Sequence, residues 1–583
     1  MKKVKFTFLY ALLLLITIVA LNIKNLNSYF IADDFTFIHG SYNKGPIFFI
    51  KLFYTDYVKQ IWPGAYKDNW EDKGAGFLRP IPIVALKLNY NLFGLNPLSY
   101  HALSILFFFI ICWIVFLLMR FFTSSDALSF IGALLFAVNP VHSTNVPYKA
   151  SIDTLLGILF ALLSFYLYLK YYSTRSRKYL FSSLLSYLLG LFSKESAIVV
   201  PLMIICYSLI EDYRQLSKWE GISLFLGKAF KQYATMITLF FTITGIYFAT
   251  RFMAFGNFMG GYNVPWHFQL DNKLYNTLTN MRYAFLATRF KPENVIDYFS
   301  SPDAYLSPPA LAAREIYILL FLVAICVVPL LVLGFRRIVQ QRLFTVGIIW
   351  CSIYYILLLI NNMCATPQYL SFFVAGSSCL FVALVFSFYK KAVGVAIVSI
   401  LFIIYGTYQF KFNNEWAQAA SNCRQVVETI DTAAEKFQEN DRILLIDAPL
   451  YYKSAYAFWG SIENAFQQPF RKYDLTKRFF IISLRSEHLK EVLTCQNGGA
   501  IDSLELDMAL KDYFTSSLKF EETRSIARAR DKDAQLYSHL GYNILRELYE
   551  VSSGHAVHIF KWNGEANKLE LVSNPVMAYR VKD

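Results

Sequence analysis

Charged side chains are scarce in this chain. Asp, Glu, Lys and Arg make up 16% of its 583 residues, against 56% hydrophobic and 18% aromatic, and the mean hydropathy is +0.38. A soluble protein carries roughly 25% of its residues as charges, so this shortage excludes a soluble fold and points to a polytopic membrane protein. Dense basic runs are missing too. The net charge of +14 comes from Lys and Arg spaced like topogenic charges, which argues against a nucleic-acid partner. Cysteine is sparse: eight residues, with no Cys-x-x-Cys and no Cys/His cluster to suggest zinc. Cys112, Cys206, Cys326, Cys351 and Cys379 lie in apolar runs, where a thiol behaves as a small hydrophobe. Solenoid repeats are also lacking.

What is present is a series of apolar runs near the ~20 residues that span a bilayer. They fall at 6–23, 100–119, 127–138, 151–169, 179–192, 197–210, 233–249, 315–334, 343–360, 370–389 and 392–409. The runs at 127–138 and 179–192 are short enough to be tilted or re-entrant. The stretch 80–95 holds Pro80, Pro82, Lys87, Asn89 and Asn91, too polar to span, and is predicted to be an interfacial helix. Met1-Lys2-Lys3-Val4-Lys5 precedes the first run with no small-x-small cleavage site after it, so the run reads as an uncleaved membrane helix.

Alternating eleven spans puts the basic loops on one side: Lys2, Lys3 and Lys5, then Lys170 to Lys178, Arg214 to Lys231, Arg336 to Arg342, and Lys390 with Lys391. That is the positive-inside pattern. The long loops 24–99 and 250–314, and the tail from 411, fall outside. So do Asp33, Asp34, His142, Lys194, Glu195, Arg251 and Gln368. Polar residues that hydropathy does not explain therefore share one compartment. In the tail, Asn413 to Phe437 has helical spacing. Arg442 to Asp447, Arg478 to Ser483 and Val557 to Trp562 read as strands. The expected organisation is a membrane module over 1–410 and a small extracytoplasmic α/β domain over 411–583, the latter without a Gly-rich phosphate loop or a catalytic triad.

Several motifs stand beside plainer readings. Asp33-Asp34 follows the first span, where an acidic helix end is the ordinary explanation. Arg79-Pro80 opens the polar helix, which Gly94 and the Asn96-Pro97 turn should end; neither structural role requires Arg79 or His101. Asn139-Pro140-Val141-His142 is a turn signal in which His142 reads first as a satisfied interfacial histidine. Asp153 suits the start of a span. Ser193-Lys194-Glu195-Ser196 separates two apolar runs with almost no loop. Charges are costly there, and a mutual Lys194–Glu195 ion pair is the plain alternative to an anion site. Gln368-Tyr369 opens the tenth span.

Taken in order, these motifs resemble the membrane part of the GT-C glycosyltransferases: Asp-Asp, Arg-Pro, Leu-Asn-Tyr…Gly-Leu-Asn-Pro…Tyr-His, Asn-Pro-Val-His, Ser-Lys-Glu-Ser-Ala-Ile-Val-Val-Pro and Gln-Tyr-Leu. The similarity is greatest to the transmembrane O-mannosyltransferases that carry tetratricopeptide repeats, and extends to the protein O-mannosyltransferases. It covers about residues 1–410. Asn139 stands where a His is usual, Gln368 where an Arg is usual, and the small α/β domain replaces the repeats. The resemblance implies a GT-C-like polytopic α-helical membrane protein of about 11 transmembrane helices. It also implies an inverting transfer from a polyprenyl-phosphate sugar of hexosyl or mannosyl type to a protein, glycan or lipid acceptor on the outer face. The N-terminal pattern suggests a bacterial inner membrane.

Such a transfer needs a base for the acceptor hydroxyl. It also needs a cation for the departing lipid phosphate. Adjacent Asp side chains diverge, so Asp33 is expected as the base, and Asp34 as its orienting partner or the acceptor of a loop N–H. Lys194 and Arg79 are expected at the phosphate, with Glu195 beside them. His101, His142, Asp153, Gln368 and Tyr369 are further candidates. No metal cage is evident, and no cofactor is expected. A flippase or transporter would instead place polar groups at mid-membrane in paired repeats. A scaffold presenting the tail would leave Asp33 free to vary.

Overall fold

The structure is a computed structural model. It describes residues 2–56, 77–215, 222–256, 258, 270–292, 311–333, 341–360, 366–458, 461–484, 556–571 and 576–577. Parts of the 250–314 loop and most of the tail beyond 484 lie outside the described residues. The chain divides into two compact units. One comprises residues 1–28, 40–417 and 453–455, the other 29–39, 418–452 and 456–583.

The first unit is helical. Among the described residues, each of the eleven apolar runs falls largely on a helix, and this is an integral multi-pass membrane protein. Seven helices among the described residues are long and apolar enough to cross a bilayer, while Asp126–Ala137 is a shorter apolar helix. Arg177–Leu191, at 15 residues, is likewise short, as the length of its run implied. Arg79 lies outside the α region at φ −131 and ψ 62, as a residue before proline tends to, and Pro80 takes the first turn of helix α1, Pro80–Phe93. Gly94 ends that helix at φ +60, a conformation that favours glycine. The spans pack by apolar contact and by small polar residues, the means available where lipid removes the hydrophobic incentive. Helices α2, Ile152–Thr174, and α3, Arg177–Leu191, are stitched reciprocally: Ser164 donates to the Ser183 carbonyl (2.8 Å) and Ser183 to the Ser164 carbonyl (2.7 Å).

Between the spans, 3₁₀ turns take the place of loops: Pro140–Thr144, Lys149–Ser151, Glu195–Val199 and Pro367–Tyr369. Every residue from Leu135 to Ile152 is buried. The Asn139–His142 turn is thus an interior element, although connecting segments usually run over the surface.

In the second unit a sheet has the order β2-β1-β3-β4, with β5 also pairing to β3. Here β1 is Arg442–Ile446, β2 Phe480–Leu484, β3 Ala556–Asn563, β4 Lys568–Leu571 and β5 Val576–Met577. Strands β2 and β3 both run parallel to β1, with Leu444 opposite Ile482 and Ile559. All five residues of β1 are buried, as a central parallel strand requires. The three strands expected from sequence are therefore present. The helical spacing from Asn413, however, continues the last apolar run: Lys391–Ala434 is one helix of 44 residues.

Candidate functional site

Five predicted or neighbouring charges meet in the first unit. Arg79, at the start of α1, places Nη1 2.6 Å from Asp153 Oδ2 and Nη2 2.8 Å from Glu195 Oε2. Lys194 Nζ lies 3.2 Å from Asp153 Oδ2 and also donates to the Thr154 hydroxyl. Arg251 Nη1 is 3.4 Å from Glu195 Oε1 and 3.3 Å from the Tyr247 hydroxyl. The side chains of Lys194 and Arg251 are only 8% and 3% exposed, whereas Glu195 is 31% exposed. The sequence-level alternative, a pair between neighbours Lys194 and Glu195, gives way to cross-pairing: Lys194 with Asp153, Glu195 with the two arginines.

Burial pulls the Lys194 ammonium below the ordinary lysine range, opposed chiefly by Asp153. Burial pushes the Glu195 carboxyl up, but Arg79 and Arg251 outweigh it and hold it down at about 2. Glu195 is therefore ionised at neutral pH. Three cations against two carboxylates leave these five groups with one formal positive charge, and a surplus of that sign in a mostly buried place favours an anionic ligand.

Local backbone explains the assembly. Asp153 occupies the first turn of α2, where the helix dipole favours a carboxylate. Lys194 is carried on a tight turn, its N–H bonded to the Gly190 carbonyl at 2.8 Å. That turn presses on Gly157 of α2: a Cβ there would stand 2.7 Å from Lys194 Cβ. The Lys194 ammonium also lies 4.9 Å from the centre of the Tyr369 ring, a cation–π contact.

The other candidates in this unit have structural surroundings. His142 Nε2 is 2.9 Å from the Phe136 carbonyl and Nδ1 3.1 Å from Ser371 Oγ. A carbonyl only accepts, so Nε2 carries the proton and Nδ1 accepts from Ser371. Burial pulls the pKa of His142 down to about 3, against the opposing effect of that carbonyl. Neutral His142 thus ties the 139–145 turn to Ser371, as does Asn145, which donates to Ser371 Oγ (2.7 Å) and to the Gln368 backbone carbonyl (3.3 Å). His101 Nε2 meets Ser28 Oγ at 3.0 Å.

Asp33 and Asp34 belong to the second unit and open the helix Asp33–Ser41. Their side chains diverge. Asp34 is buried and its Oδ2 accepts the Ile31 N–H at 3.1 Å, the loop N–H bond expected of it. Asp33 is half-buried, and Ser461 Oγ lies 3.5 Å from its Oδ1. Aromatic packing fixes the segment: Phe35 stacks on Phe458 at 5.9 Å and meets Phe470 at 4.9 Å, and Phe30 meets Phe470 at 5.2 Å. Tyr29, whose hydroxyl is raised by burial against the pull of Arg471, lies 3.3 Å from that guanidinium.

Sequence reasoning had placed Arg251 on the outer face without giving it a role, and had passed over Thr154, Gly157 and Ser461. Arg251 left a signal, a charge closing an apolar run; the others left none, since each acts through a residue distant in sequence.

Comparison with known proteins gives local matches. Residues 80–229 match the family model described as dolichyl-phosphate-mannose-protein mannosyltransferase. The mouse protein O-mannosyl-transferase TMTC3 is 35% identical over 100 residues, 17% of this chain and 11% of that protein. The Drosophila melanogaster protein O-mannosyl-transferase Tmtc1 is 29% identical over 133 residues, 23% of this chain and 16% of that protein. The match thus spans only a small part of these relatives. Among solved structures, the archaeal oligosaccharyltransferase AglB from Archaeoglobus fulgidus, in complex with an inhibitory peptide and a dolichol-phosphate, aligns with a TM-score of 0.45 and 10% identity over 96% of this chain and 69% of that one. ArnT from Cupriavidus metallidurans bound to undecaprenyl phosphate aligns with a TM-score of 0.39 and 10% identity over 85% and 92%. The resemblance read from the motifs is found again in the family match, which includes His101, the Asn139–His142 turn, Asp153, Lys194 and Glu195. Asp33, Asp34, Arg79, Gln368 and Tyr369 lie outside it.

Proposed function

We propose that this chain is a GT-C-like inverting glycosyltransferase that moves a hexosyl or mannosyl-type sugar from a polyprenyl-phosphate donor to an acceptor on the extracytoplasmic face. The observation that carries this reading is the family match over residues 80–229, because it contains most of the residues that build the buried cation cluster. The proposed setting is a bacterial inner membrane, with residues 1–410 as the transferase module and 411–583 as the extracytoplasmic domain.

In the proposed reaction the acceptor oxygen attacks the anomeric carbon, the bond from that carbon to the phosphate oxygen breaks, and the lipid phosphate leaves with the electron pair. The acceptor proton passes to Asp33. Deprotonating the acceptor as it attacks is the work of a general base. The phosphate is already a weak base, so it needs a cation rather than an acid. Arg79 and Lys194, with Arg251 as a third cation and Asp153 and Glu195 as the carboxylates that pair with all three, supply a surplus positive charge suited to it. Asp34, bonded to its own loop, serves to orient Asp33.

The test is turnover of radiolabelled polyprenyl-phosphate sugar by the purified chain in detergent or liposomes, with mass spectrometry of glycans and glycolipids from cells with and without the gene. Sugar transfer with inversion supports the reading. Movement of intact donor across the bilayer without cleavage would replace it with a flippase.

A further inference from the structure

The carboxylate at Asp33 sits at the end of a row of hydrogen bonds that joins Thr36 of its own helix to Ser461 and Asn464 from the C-terminal part of the chain. Asn464 Nδ2 lies 2.8 Å from Thr36 Oγ1, Thr36 Oγ1 2.9 Å from Ser461 Oγ, and Ser461 Oγ 3.5 Å from Asp33 Oδ1. The direction is forced from both ends. An amide N–H can only donate, so the Thr36 oxygen accepts there and its own hydrogen turns to Ser461. An ionised carboxylate can only accept, so the Ser461 hydrogen turns to Asp33. Each hydroxyl accepts once and donates once, and such rows strengthen their members.

The two hydroxyls are placed for this. Thr36 and Ser461 are 1% and 0% exposed, and a hydroxyl buried without a partner is costly. Thr36 and Asp33 are three apart on one helix, hence on one face. The Ser461 N–H is tied to the Phe458 carbonyl at 2.8 Å, and Phe458 itself stacks on Phe35. The Ala32 N–H, directly before the acidic pair, donates to the Ala457 carbonyl at 2.5 Å. Ala457 and Ser461 therefore hold the backbone just before Asp33 and its side-chain oxygen.

We infer that Ser461, backed by Thr36 and Asn464, is a positioning residue for the Asp33 carboxylate, so that the C-terminal part of the chain completes the proton-accepting group of the transferase. This rests on the proposed role of Asp33 as the base. The long last bond, at 3.5 Å, suits a contact that tightens only once substrate is bound.

The experiment measures kcat and donor KM for the full-length chain, with donor binding and thermal unfolding followed alongside. Ser461→Ala should lower kcat by about tenfold or more, the scale of a misplaced catalytic group, with donor KM and binding unchanged. Ser461→Thr, which keeps the hydroxyl, should restore most of it. Thr36→Val should act like Ser461→Ala, and Thr36→Ser should be benign. In an Asp33→Asn background, Ser461→Ala should cost nothing further, because the group it aims is gone. Equal losses in both backgrounds would show that Ser461 only holds the segment around it, and would overturn the inference. So would an unaltered kcat in Ser461→Ala. Near-normal turnover in Asp33→Asn alone would instead remove the base reading itself, a separate and distinguishable failure.

Discussion

At the scale of single residues, the adjacent carboxylates have different surroundings, which suit the two roles proposed for them. Asp33 and Asp34 follow one another on a helix, about 100° apart, so one faces in and the other out. Buried Asp34 is committed to the Ile31 N–H, while half-buried Asp33 meets the hydroxyl of Ser461. Asp33→Asn should therefore insert, unfold and bind donor like the native chain, yet lose turnover by ~10²–10⁴-fold, the usual worth of a general base. Asp34→Ala should behave in the opposite way. Leaving a buried N–H unsatisfied costs about 1–3 kcal/mol, so its unfolding midpoint should fall, and turnover per folded molecule should drop less than in Asp33→Asn. Radiolabelled transfer paired with thermal unfolding separates the two; a reversed order would assign the base to Asp34. Glu195 makes a pH prediction. Its folded pKa, about 2, lies below the ordinary ~4.3. A carboxyl depressed on folding adds stability above its unfolded pKa, and that stability is lost as pH falls through the folded value. Between pH ~5 and 8 its contribution should be flat, and below ~4 it should decline. Glu195→Gln should lack that acid decline in a thermal unfolding series.

At the scale of elements, much was legible. Apolar runs of near-spanning length became helices because hydropathy and length decide that outcome. Pro80 and Gly94 bounded their helix because both act through local backbone. The central strands showed as short apolar runs between polar ends. What was hidden depended on contacts distant in sequence. Nothing in Ser193-Lys194-Glu195 tells that Lys194 will turn to Asp153, forty-one residues earlier, and nothing beside the acidic pair tells that Phe30 and Phe35 will pack with Phe458 and Phe470. Gly157 is the clearest case. It lies within an apolar run and left no signal, yet the Lys194 turn needs its missing side chain. Gly157→Ala would put a Cβ 2.7 Å from Lys194 Cβ, a contact that one of the two segments must relieve. Overpacking of this kind typically costs about 1–3 kcal/mol. The expected result is a lower unfolding midpoint together with weaker donor binding, since the displaced turn carries a cation of the cluster. Lys194→Ala should weaken donor binding more than acceptor binding, and Lys194→Arg should retain part of it, because charge matters more there than fork geometry. Intact donor affinity in both Gly157→Ala and Lys194→Ala would free the cluster of any role at the phosphate.

At the scale of the whole molecule, the membrane sidedness follows from where lysine and arginine fall. Short loops with Lys and Arg stay in the cytoplasm, whereas long loops and domains cross regardless of charge. Lys170, Arg175, Arg177 and Lys178 crowd the short connection between α2 and α3, so that connection should face inward. On the eleven-span count expected from sequence, the Lys194 turn and the C-terminal part of the chain would lie outside, where the proposed donor and acceptor would meet. Two single cysteines test this on surfaces open to a reagent: Ser173→Cys, at an exposed position beside the basic connection, and Tyr473→Cys, at a residue 65% exposed. With a membrane-impermeant maleimide on intact cells, Tyr473→Cys should label at once and Ser173→Cys only after permeabilisation. Labelling is read against the parent chain, which carries the eight native cysteines. If Tyr473→Cys were reached only from the cytoplasm, the acidic segment that packs in the same compact unit would face the wrong compartment, and Asp33 could not serve an extracytoplasmic transfer.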